Sequence, residues 1–115
     1  MTRPTIIAFA VLVLAGCGEE PEPANPVADE NATLIARAEI AVERQLRDPE
    51  SVRYEHVYVA RKSGLPVVCG LVNAKNAFGG YVGSRPFIHA GDVLTIANPE
   101  NVEEFRALYD QLCGA

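Results

Sequence analysis

CGLVNAKNAFGGYVG, residues 69–83, decides how this chain folds. Its first half has the alternation of a strand. Cys69, Leu71, Asn73 and Lys75 share one face, and Gly70, Val72, Ala74 and Asn76 share the other. Its middle, residues 76–80, has turn chemistry, because Gly79 and Gly80 can enter the positive-φ region without a Cβ penalty. Its second half resumes as a strand that returns Tyr81 and Gly83 beside Asn73 and Lys75, with Arg85 on the same face. The segment reads as a hairpin, and its neighbours follow from it.

Upstream, residues 52–61 alternate. Val52, Tyr54, His56, Tyr58 and Ala60 fall on one face, and Arg53, Glu55, Val57, Val59 and Arg61 on the other. A turn around Gly64 and Pro66 leads into a second strand over 67–75. The third strand covers 81–89, where Pro86 implies a sheet edge or a bulge because it has no N–H to donate. A short fourth strand covers 93–97. One helix precedes the strands over 31–47, with Asn31 as N-cap, an apolar stripe of Leu34, Ile35, Ala38, Ala41, Val42 and Leu46, and Asp48-Pro49 as its stop. A second helix follows them, with Asn98 as N-cap, Pro99 in the first turn and Gly114 past the end. Its buried face comprises Val102, Phe105, Leu108, Tyr109 and Leu112. The expected fold is α+β: an N-terminal helix, about four antiparallel strands and a C-terminal helix, with both helices packed on one face of the sheet.

The chain has 115 residues, 49% of them hydrophobic and 22% charged, which is a globular balance for one small domain. Part of the hydrophobicity belongs to the N-terminus. Arg3 gives a positive start, and the apolar run Ile6 to Ala15 is half the length of a membrane-spanning helix. Leu14-Ala15-Gly16-Cys17 then resembles the lipobox of bacterial lipoproteins. The resemblance implies a signal peptide over 1–16 and a Cys17 whose thiol is diacylated and whose freed amine carries a further chain of the palmitate type. An ordinary secretory signal cut near Gly16 is the competing reading. Two or more acyl chains give stable anchoring where one does not. Gly18, in place of the aspartate that marks inner-membrane retention, favours an outer membrane facing the periplasm if the cell is Gram-negative. Residues 17–30 read as an acidic, proline-bearing tether, and 31–115 as the domain.

Without residues 1–16, nine basic residues stand against 15 acidic ones, a net charge of −6. No basic run is present, which argues against nucleic acid as a partner. Cys69 and Cys113 remain as a pair, and an exported domain predicts a disulfide between them. Two separate buried thiols are the alternative. Nothing has metal-ligand cysteine spacing, and His56 and His89 lie on different strands, so neither metal nor cofactor is implied. Asp48 and Asp92 could form an acid/base pair only if the fold brought them together.

The candidate binding residues are those of the hairpin. Lys75 and Arg85 supply charge, Asn73 and Asn76 amides, and Tyr81 a hydroxyl and a ring, while Gly79 and Gly80 allow close approach. The competing reading is a hairpin whose asparagines only bond their own turn. DPESVRY at 48–54, followed by VCGLVNAKNAFGGYVGSRPF at 68–87, resembles a family of small uncharacterised exported bacterial proteins and lipoproteins. Their pattern is D-P-x-S-x-x-[FY] and then C-G-x-V-N-x-K-N-x-x-G-G-Y-x-G-x-x-x-F, with Tyr54 standing where phenylalanine is common. The resemblance implies that the hairpin defines the domain, and it brings no activity with it. The expected function is a membrane-anchored, non-enzymatic envelope module that binds an envelope protein or a cell-wall ligand. The alternatives are an inhibitor or exclusion factor blocking a hydrolase or phage protein, and a small cell-envelope enzyme.

Overall fold

The computed structural model describes residues 16–18, 21, 23–76 and 78–114. The signal-peptide reading of 1–15 and the tether acids Glu19, Glu20 and Glu22 lie outside the described residues. Among the described residues no helix is long and apolar enough to cross a membrane.

The fold is α+β. Helix α1 (Pro26–Gln45) leads through a short 3-10 turn (Pro49–Ser51) to strands β1 (Arg53–Ala60), β2 (Val67–Asn73), β3 (Arg85–Ala90) and β4 (Val93–Ile96), and helix α2 (Val102–Leu112) closes the chain. The sheet is an antiparallel meander in the order β1-β2-β3-β4.

α1 begins at Pro26 rather than after Asn31. Asn25 is the N-cap, its side-chain oxygen accepting from the Val27 and Ala28 amides at 3.2 and 3.4 Å. Pro26 then stands at the helix start, where its missing N–H would have had no partner anyway. The tether read over 17–30 therefore gives way to helix at Pro26.

The helices do not share a face of the sheet, contrary to the sequence expectation. Ala38 and Val42 of α1 bury Val68, Val72 and Phe87, with Tyr54, Val57, Val59 and Ile96 packed around them. Phe105 of α2 and Cys113 bury the opposite set, Val67, Cys69 and Ile88. The molecule has three layers, helix on sheet on helix. The physical reason is visible in β2, where Val67, Val68, Cys69 and Gly70 are consecutive and all buried. A strand alternates only when one of its faces meets water.

The alternation read in β1 is also interrupted. Pairing runs Glu55 to Leu71 and then Tyr58 to Cys69, so His56 and Val57 together oppose Gly70. This is a β-bulge with His56 at φ 51, a left-handed conformation that histidine tolerates better than branched residues. Tyr54, Val57 and Val59 consequently face α1, while Tyr58 and Ala60 face α2. The Tyr58 hydroxyl donates to the Cys113 carbonyl at 2.8 Å. Burial and the carboxylates of Glu43 and Glu39 hold the Tyr54 phenol well above its usual range, and that phenol donates to the Glu39 carbonyl at 3.1 Å.

Gly70 lies under the bulge for lack of room. A Cβ there would sit 2.9 Å from Val57 Cγ2, 3.0 Å from Phe87 Cε1 and 3.1 Å from Val57 Cα. Gly70→Ala is expected to destabilise the fold by ~1–3 kcal/mol, the usual range for overpacking. A fall in the urea midpoint at unchanged slope checks it.

Pro86 occupies an interior strand rather than an edge. Its carbonyl accepts from the Ala97 amide at 2.9 Å, so its N side also points toward β4. β4 ends at Ile96, paired with Phe87, so Pro86 falls opposite Ala97, just past that end, and its missing N–H removes a bond at the margin of the ladder and not within it. α2 starts at Val102, later than the Asn98 cap implied. Asn98 instead caps the preceding turn, accepting from the Glu100 and Asn101 amides at 2.8 and 2.9 Å. The predicted disulfide is present. Cys69, in mid-strand, is bonded to Cys113 just past the last turn of α2, with Cα atoms 6.1 Å apart.

Candidate functional site

The hairpin closes as its sequence implies, and the side-chain oxygens of Asn73 and Asn76 help to close it. Lys75 and Tyr81 pair as an isolated bridge. The Asn76 amide donates to the Gly80 carbonyl at 2.8 Å, and the Gly79 amide to the Asn76 carbonyl at 3.1 Å. The Asn76 side-chain oxygen accepts from the Phe78 and Gly80 amides at 3.0 and 3.2 Å. Asn73 does the same one step out, accepting from the Gly83 amide at 3.2 Å. Positive φ falls on Gly79 (80°) and Gly83 (96°); Gly80, expected to share the role, does not need it.

The loop is fixed to the rest of the domain through the 3-10 turn. The Ser51 hydroxyl donates to the Asp48 carbonyl at 2.8 Å and accepts from the Lys75 amide at 3.0 Å. The Tyr81 hydroxyl donates to the Ser51 carbonyl at 3.0 Å. The Arg53 guanidinium lies 4.0 Å from the centre of the Tyr81 ring and the Lys75 ammonium 5.7 Å from it, both on distances that permit cation–π attraction. Asp-Pro-x-Ser and the hairpin, distant in sequence, are thus wired together. Asp48 ends up in this junction and Asp92 in the β3–β4 turn, and no described cavity is lined by both. His56 is exposed on its bulge and His89 is buried on β3.

The predicted site residues divide. Asn73, Asn76, Gly79, Gly80 and Tyr81 build the loop. Lys75 and Arg85 face a cleft between the loop and the end of α1. Its inner part, about 380 Å³, is walled by Leu46, Val72, Val82, Leu94 and Ile96 and reaches Arg85. Its outer part, about 580 Å³, adds Arg47, Lys75, Asn76 and Phe78. Gln45, Leu46, Ala74, Val82 and Arg85 line both parts, so the two adjoin.

Phe78 is the residue that sequence reasoning missed. It stands at the turn with 96% of its surface exposed, beside the half-exposed Val82. Its signal was an aromatic inside a run of Asn and Gly, in a turn where nothing requires one. Arg47 was also missed, because its place at the cleft depends on where α1 ends.

Nothing matches. Neither family models, nor curated proteins, nor solved structures show a counterpart of this chain. The functional reading rests on the lipobox resemblance at Cys17 and on the geometry of the loop and cleft.

Asn76→Ala is expected to loosen the loop without unfolding the domain, since the amides it releases on Phe78 and Gly80 are exposed and water replaces the lost bonds. Native-state amide exchange should speed up at residues 78 and 80 while β2 and β3 keep their protection.

Proposed function

We propose that this protein is a membrane-anchored, non-enzymatic binding module of the cell envelope whose contact surface is the loop 74–85 and the cleft beside it. The observation that carries the reading is Phe78, a wholly exposed aromatic on a loop whose backbone is held by its own side chains and by Ser51. Exposing such a ring to water is unfavourable, and holding the backbone beneath it removes part of the ordering cost that binding otherwise incurs. Aromatic anchors of this kind dominate the energetics of protein interfaces.

Anchoring is assigned to Cys17. It is exposed, and it is the thiol left over once Cys69 and Cys113 are bonded. Acylated there, the chain would hold its domain a short tether away from the bilayer, ahead of α1. Cys17→Ala is expected to move the protein from the membrane fraction to the soluble one. Unchanged membrane association would contradict the anchor.

The binding surface has a direct test. A photo-cross-linking residue placed at position 78 in the full chain should give discrete adducts in cells, and the same residue at exposed Glu103 on α2 should not. Identical adduct patterns from the two positions would sink the reading.

A further inference from the structure

The cleft is selective in charge. The chain carries 15 acidic residues against 10 Lys and Arg, yet the charged residues lining the cleft are Arg47, Lys75 and Arg85 alone. Among the described residues none of the three is in a salt bridge. Three like charges around one opening repel one another, and each would gain from a carboxylate placed between them. α1 also ends at this cleft, with Gln45 and Leu46 in its lining, but a helix C-terminus carries only about half a negative charge, against three full positive ones. The walls between the cations are apolar: Leu46, Val72, Val82, Leu94 and Ile96, with Phe78 at the outer rim.

We propose that this cleft binds an acidic peptide segment in which apolar side chains alternate with carboxylates. The inference rests on the binding role proposed for the loop and adds the chemistry of its ligand. The peptide's carboxylates meet Arg47, Lys75 and Arg85 at the rim, and its aliphatic or aromatic side chains enter the inner part. A polyuronate or other acidic glycan matches the charges but has nothing to place against the five aliphatic walls. A bilayer surface offers anionic headgroups and apolar chains, but a flat surface meets only Phe78 and the rim and does not enter the recess to reach Val72, Leu94 and Ile96. Inner and outer volumes together fall in the range of sites that enclose several side-chain-sized groups.

The test uses the purified full chain and a fluorescently labelled synthetic octapeptide that alternates glutamate with leucine, read by anisotropy. Saturable binding is expected, weakening as salt rises from about 50 to about 200 mM, because the ion pairs are exposed. Lys75→Gln with Arg85→Gln should weaken it roughly tenfold, as losing two exposed ion pairs implies. Arg47→Glu, which leaves the loop untouched, is a second variant expected to act in the same direction. Arg106→Gln on α2 should leave the affinity unchanged. The proposal is overturned if the octapeptide does not bind, if a lysine-for-glutamate octapeptide binds as well, if the cleft variants bind like the parent, or if a polyuronate binds in the peptide's place. The two readings fail separately. Loss of octapeptide binding with adducts at position 78 intact removes the acidic ligand and leaves the loop as a contact surface. Octapeptide binding without adducts at 78 does the reverse.

Discussion

Reducing the Cys69–Cys113 disulfide is expected to lower the melting temperature by on the order of 20 °C. The bond closes a loop of 44 positions, which by chain entropy is worth about 4 kcal/mol. For a domain of this size each kcal/mol moves the midpoint by about 4–8 °C. The effect has a structural focus. α2 spans Val102–Leu112, too short to hold its helix alone in water, and it covers its face of the sheet mainly through Phe105, Leu108, Tyr109 and Leu112. The bond fixes the far end of that helix to the middle of β2, where Tyr58 also reaches the Cys113 carbonyl. Thermal melts with and without reductant check the magnitude. Amide exchange in the reduced protein should rise first over residues 102–113 and last over α1 and β2. A melting temperature indifferent to reductant would mean that packing holds α2 without the bond.

Phe87→Ala is expected to cost ~3–5 kcal/mol, the range for emptying a large aromatic from a packed core. Phe87 is fully buried between the sheet and α1, in edge-on contact with Tyr54 at 6.3 Å between ring centres. It faces Gly70 across the β2–β3 pair, and Gly70 has no side chain with which to fill the space. The cavity would therefore persist, and with it the cavity part of the cost. Small domains hold only ~5–15 kcal/mol in total, so this variant should be partly unfolded at moderate urea where the parent is folded. Phe87→Leu, which keeps more of the volume, should lose less. Equal midpoints for Phe87→Ala and the parent would contradict the described core on the α1 face.

The order of elements was legible because each carried its own period or punctuation. Leu34, Ala38 and Val42 recur at helical steps, and the hairpin announces itself through Asn76 and Gly79. The faces were not legible from alternation. Val67, Val68 and Cys69 in one strand, and Phe87 and Ile88 in the next, are adjacent apolar pairs that make sense only for a sheet covered on both sides. The bulge at His56 was hidden for a related reason: an extra residue shifts the period, and nothing local marks it until Gly70 is seen beneath it. Lys75 and Arg85 could be read as site residues from their places on the hairpin. Arg47 could not, since its contribution depends on how the end of α1 lies against a loop far along the chain. The amides went the other way. Asn73 and Asn76 looked like ligand contacts, and their side-chain oxygens are used by the loop itself, while Asn76 still lines the outer part of the cleft.

The central claim is that the loop is built to present Phe78, so that binding and folding are separable at that residue. Phe78 is 96% exposed, and removing its ring should change the melting temperature little, as for other surface substitutions outside caps and networks. The decisive measurement is recovery of the partner cross-linked at the loop, compared between the full chain and Phe78→Ala with the cross-linker moved to Val82, alongside the melting curve of each. The account predicts an unchanged melt and loss of the adduct. An unchanged melt with the adduct retained would contradict it.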